Sequence, residues 1–168
     1  MIGCSTLEVD VDYDPSYDFN AKTKYVILHK TKEGENTLTN DRITTAIQNN
    51  LDARGYHRVE QKDADLIFVF HVNVKDKTDI TTDYQMVGYG GFGRGRGMGG
   101  GVITTTDVYN YTEGKLVIDA LNPKTSKLVW RGIATDELNK NIDTPKERQE
   151  YINKVMQQLM QNFPKKKD

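Results

Sequence analysis

The chain is poor in the residues that most often carry chemistry. A single cysteine, Cys4, stands among 168 residues. No internal disulfide can form, and a thiolate metal site has no second ligand. Only Ser5, Ser16 and Ser126 are serines, and none lies in G-x-S-x-G, so no nucleophile–base spacing emerges. His29, His57 and His71 are scattered singly without an H-E-x-x-H pair, which argues against a transition-metal centre. No apolar run approaches the roughly 18 residues of a membrane-spanning helix. An excess of one charge is also missing. Lys and Arg number 23, Asp and Glu 24, for a formal net charge of −1. That balance lacks the clustered positive footprint of a nucleic-acid-binding domain. The expectation is a non-enzymatic chain with no cofactor, no metal and no nucleic-acid partner.

What is present is the patterning of one ordinary domain, long enough to bury a core unaided. "LEVDVDYDP" alternates strictly: Leu7, Val9, Val11 and Tyr13 point one way, Glu8, Asp10, Asp12 and Asp14 the other. This reads as a half-buried strand with a wet acidic face, ending at Pro15. "KYVILHK" is a second strand, Lys24 to Lys30. From Asn40 to Arg54 the spacing turns helical, with Ile43, Ala46, Ile47 and Leu51 on one stripe, Thr39 or Asn40 as cap, and Gly55 as the left-handed terminator. "ADLIFVFHVNVKDKTDI" is apolar on both faces and then alternates, as a central strand does when it runs past the core. "VITTTDVYNY" reads as a further strand. "GKLVIDALNPKTSKLVWRGIATDEL" reads as a hairpin turning at Asn122–Thr125, with Trp130 as core anchor and Arg131 on the opposite face. Thr144, Pro145 and Glu147 open a final helix with a capping box, and Ile152, Val155, Met156, Leu159 and Phe163 form its stripe. The predicted order is β-β-α-β-β-β-β-α. The fold class is α+β: a single domain over residues 7–164, with a largely antiparallel sheet, two helices on one face and a long glycine-rich inter-strand loop. Residues 165–168 form a lysine-rich tail.

Nine of the chain's 14 glycines fall between Gly88 and Gly101. Gly88, Gly90 and Gly93 satisfy G-x-G-x-x-G, but a dinucleotide loop must open a helix, and here more glycine and then a strand follow. No Gly-Lys-Ser/Thr follows either, and two arginines make a poor RNA-binding segment. The tract is expected to be a flexible loop inside the domain, with Tyr89, Phe92, Arg94, Arg96 and Met98 as candidate partner-binding residues. The aspartates from Asp10 to Asp18 do not make a calcium loop, because Pro15 and Ala21 stand where glycine and glutamate are required.

The chain opens "MIGCST", with small Gly3 before Cys4 and aliphatic Ile2 before that. That order ends a bacterial lipoprotein signal peptide, whose cysteine is lipidated. Residues 1–6 therefore read as a lipobox remnant and tether, trimmed near the mature start. With "VDVDYDPSYDF", "LDARGYHRV", "DADLIFVFHVNVKDKTD" and "GKLVIDALNPKTSKLVWRG" in this order, the sequence resembles a bacterial envelope lipoprotein family catalogued as domain of unknown function 4136. The resemblance runs from Cys4 to Pro164. It implies a membrane partner through a lipid anchor on Cys4, a periplasm-facing location and no catalytic residues. Ser5 after the cysteine is compatible with outer-membrane delivery. Function is expected on the acidic face of the first strand or on the glycine tract, against an envelope protein partner. Two alternatives stay open: a periplasmic small-molecule binding module with a pocket between sheet and helices, and an adaptor pairing by strand edge or glycine-rich loop.

Overall fold

The computed structural model describes residues 6–86, 102–138 and 141–164; the side chains of 83–86 and 102–104 are outside that description. Six strands form one mixed sheet in the order β1-β6-β5-β4-β2-β3. The strands are β1 (Glu8–Tyr13), β2 (Lys24–Ile27), β3 (His57–Arg58), β4 (Leu66–Met86), β5 (Val102–Leu121) and β6 (Leu128–Glu137), with helices α1 (Thr37–Asp52) and α2 (Pro145–Leu159). β1, β6, β5 and β4 pair antiparallel, whereas β2 runs parallel to both β3 and β4. The sheet is thus less antiparallel than expected. α1 carries the chain from β2 to its parallel neighbour β3, the crossover that parallel strands require, and a short turn then leads to β4 on the other side of β2.

Three elements differ from the sequence reading. The separate strands expected from "VITTTDVYNY" and "GKLVIDAL" are one continuous strand, β5. The β3 bridge is too short to leave a periodic signal. α1 starts three residues before Asn40, with the Asn36 side chain accepting from the Thr39 N–H. Asn40 is instead buried, and its Nδ2 donates to Glu35 Oε2. The first turn carries exposed Leu38 and no stripe residue, so periodicity could not reveal it. Other expectations hold. Gly55 has φ +85° just past the end of α1, and α2 carries the Thr144–Glu147 capping box behind Pro145.

Both helices lie over the face carrying Phe68, Phe70, Ile118, Ala120 and Trp130, and the buried residues form one cluster. Phe163, just past α2, is its hub, with ring centroids 5.1 Å from Trp130, 5.6 Å from Phe68 and 5.6 Å from Tyr56. Arg54 ties the helix ends together: its Nη2 donates to the Met160 carbonyl at 2.6 Å. On the opposite, helix-free face, Arg131 grips Asp119 with two 2.7 Å bonds, a bidentate pair across β5 and β6.

Gly132 sits beneath Trp130 and Leu159. A Cβ there would stand 2.5 Å from the indole and 2.9 Å from Leu159 Cδ1. Gly132→Ala is expected to destabilise the fold by about 1–3 kcal/mol through overpacking, read as a lower urea midpoint at an unchanged m-value.

Candidate functional site

Cys4 and the candidate partner residues Tyr89, Phe92, Arg94, Arg96 and Met98 lie outside the described residues, as does the glycine tract. What the structure describes is the frame around them: a ribbon that leads to the tract and a cleft beside the N-terminal segment.

The ribbon follows from unequal strand lengths. β6 accompanies β5 only as far as Glu113↔Glu137, and β2 accompanies β4 only as far as Ile27↔Phe68. From Lys77↔Tyr111 to Met86↔Val102 the two strands pair with each other alone. At about 3.3 Å per residue this stretch reaches roughly 35 Å. An isolated hairpin is marginal in water, and cross-strand polar pairs support this one. Thr112 Oγ1 donates to Asp76 at 2.9 Å, Thr78 Oγ1 bonds Asn110 Oδ1 at 2.8 Å, and Lys77 Nζ meets Glu113 at 2.7 Å. The Tyr109 and Tyr111 rings stack at 5.8 Å, and the Tyr109 hydroxyl donates to Glu137 at the body. Ile80 and Val108 pair directly yet remain 67% and 58% exposed. Acids and lysines along the edges guard against indiscriminate strand addition.

The cleft, of about 390 Å³, lies between the sheet and both helices. Its walls are Leu7 before β1, Ile43 of α1, Val72 and Val74 of β4, and Ile152 and Val155 of α2. This is where the alternative reading expected a pocket. Leu138 lies over Gly114, where a Cβ would meet its Cδ1 at 2.8 Å, so glycine at that point lets the leucine close one end.

A polar cluster stands beside these walls. Alternation along β6 puts Trp130, Gly132, Ala134 and Asp136 on the helix face, and Asp136 is buried there. Its carboxylate accepts from the Thr6 hydroxyl, from the Tyr151 hydroxyl at 2.8 Å and from the Glu137 N–H at 2.9 Å. The sequence reading did not single out Thr6, Asp136 or Tyr151. The signal was available, since an inward acid in an alternating strand demands partners.

Elsewhere, His71 borders a depression. His29 there stacks on Phe70 at 4.1 Å, and its Nε2 lies 3.0 Å from Glu35. Glu35 also accepts from the Lys32 N–H and Asn40, so this group fastens the β2–α1 connection. Glu8, Asp10 and Asp12 share the helix-free face with Arg131. Asp14 does not extend that face. β1 ends at Tyr13, and the Asp14 carboxylate accepts from the Ser16 hydroxyl and N–H, which hold it below the usual carboxylate range. Short acids prefer such local turns to a ladder. Among the described residues no group of three or more His, Cys, Asp or Glu could hold a metal ion.

A family model described as a domain of unknown function (DUF4136) matches residues 9–165. The chain belongs to this family. No curated protein matches it. Among solved structures, a PDZ domain protein from Parabacteroides distasonis is similar over 98% of this chain, with TM-score 0.57 and 14% identity; the chain spans 36% of that protein. The PelC dodecamer from Paraburkholderia phytofirmans is similar over 92% of this chain and 94% of its own, with TM-score 0.50 and 9% identity. At such identities the likeness shows a shared fold and nothing of their activities.

Burial first, then the hydrogen bond to Asp136, raises the Tyr151 phenol above its ordinary value. Burial and Asp52 likewise raise Tyr25, and burial pushes Tyr56 up to about 12. The folded chain thus holds these protons more tightly than the unfolded one. Their stabilisation is complete below the ordinary tyrosine value of about 10 and is lost as pH climbs through the raised values. The melting temperature is expected to fall between about pH 10 and 12, with tyrosinate absorbance of these three rings appearing together with loss of circular dichroism.

Proposed function

We propose that this chain is a non-catalytic, lipid-anchored domain of the bacterial cell envelope, held to the membrane through Cys4 and facing the periplasm. It uses the β4–β5 ribbon and the glycine tract joining its strands to engage another envelope protein. The ribbon is the observation that carries this reading. A two-stranded extension contributes little to the body's core and leaves unpaired backbone on both edges, the arrangement that accepts an added strand. Its Ile80–Val108 pair offers an apolar foothold amid polar neighbours. Tyr89, Phe92, Arg94, Arg96 and Met98 add aromatic and cationic contacts from the tract.

Family membership and the "MIGCST" opening support the anchor. Several acyl chains attach a protein stably, at about 0.8 kcal/mol per buried methylene. The body then needs no membrane-binding face of its own, in keeping with a mean hydropathy of −0.68.

Mass spectrometry of the N-terminal peptide from native cells is expected to show a mature chain starting at Cys4 with diacylglycerol attached. An unmodified chain retaining Met1 to Gly3 overturns the anchor. For the ribbon, the double variant Ile80→Thr, Val108→Thr, which keeps β-branched residues in the pair, is expected to lose crosslinked envelope partners while changing stability by no more than about 0.5 kcal/mol, as exposed substitutions do. Crosslinks that persist at full yield overturn this use of the ribbon.

A further inference from the structure

The cleft between sheet and helices has a ligand chemistry written in its walls, independent of the ribbon. Val72 and Val74 continue the row of Phe68 and Phe70 along β4, yet they are 42% and 54% exposed because the helices no longer cover the sheet there. Ile43, Ile152 and Val155 complete an aliphatic trough with volume for a small ligand. Its inner polar groups ask nothing of an occupant. Asp136 already accepts from Thr6, Tyr151 and the Glu137 N–H, so its acceptor oxygens are engaged by the protein, and as a carboxylate it disfavours an anion at that end.

The outer end differs. Arg148 stands one turn before Tyr151 and Ile152 on the same side of α2, is exposed, and borders the cleft. Its Nη2 reaches the Asp143 carbonyl at 3.5 Å, and among the described residues it has no carboxylate partner. Neighbouring Glu147 is engaged in the capping box. A guanidinium at the mouth of an aliphatic trough complements a carboxylate or phosphate head on an apolar chain.

We propose that the cleft binds a free single-chain amphiphile with an anionic head, its chain lying between Val72, Val74, Ile43, Ile152 and Val155 and its head on Arg148. The test is calorimetric titration of the Cys4→Ser chain with dodecanoate and with dodecyltrimethylammonium, both below their micelle concentrations. Saturable one-to-one binding of dodecanoate alone is expected. Arg148→Gln should weaken it about tenfold without moving the ligand-free melting temperature. Val74→Trp, which fills the trough from an exposed position, should abolish it while circular dichroism stays unchanged. Absence of saturable binding, equal affinity for the cationic surfactant, or full affinity in Arg148→Gln would each overturn the proposal. So would two other results. Mature lipidated protein that refuses dodecanoate while Cys4→Ser binds it would give the trough to the protein's own anchor. A dimer broken by Val74→Trp, in a chain that binds no dodecanoate, would give it to a second copy.

Discussion

Two helices cannot cover strands three times their length, and most of this architecture follows from that mismatch. α1 and α2, of 16 and 15 residues, extend about 22–24 Å at 1.5 Å per residue. β4, of 21 residues, extends roughly 70 Å. Where helices and sheet overlap, side chains are sealed from water. Where that cover thins, the apolar row of β4 continues for two valines, which wall the cleft together with Ile43, Ile152 and Val155 of the helices. Farther out the strands carry threonine, aspartate and lysine, and the sheet narrows to a ribbon.

The two ends of the covered region are finished differently. At one end Phe163 contacts Trp130, Phe68 and Tyr56, and Arg54 joins the helix termini, so the core closes on aromatic rings. At the other, the core closes on a polar knot of Thr6, Asp136 and Tyr151. An aromatic plug excludes water over a wide area, whereas a hydrogen-bonded carboxylate must keep its donors in place. The apolar opening in the body accordingly lies beside the polar knot.

Local chemistry made much of this legible in the sequence. The α2 capping box, the left-handed Gly55, the inward Trp130 with outward Arg131, and the strand that runs past the core each follow from a few neighbouring residues. Family membership was legible too, through "VDVDYDPSYDF" and "GKLVIDALNPKTSKLVWRG". What escaped depended on distant partners. The β2–β4 parallel pairing requires knowing where α1 delivers the chain, and the unity of β5 requires knowing that β4 lies alongside its whole length. The Asp136 cluster joins residues 130 positions apart in sequence, so no spacing rule could assemble it. The start of α1 escaped for a local reason: the residue its first turn buries is polar Asn40, while its one apolar residue, Leu38, is exposed.

The Thr6–Asp136 contact also decides how the body bears mechanical load. Tension on the residues before Thr6 is shared between this hydrogen bond and the β1–β6 ladder that begins at Glu8. Asp136 shares its carboxylate with Tyr151, so a tug at the N-terminus is felt directly by α2, on the wall of the cleft. The strand that meets the force, β1, is an edge strand of six residues, held to the sheet on one side only.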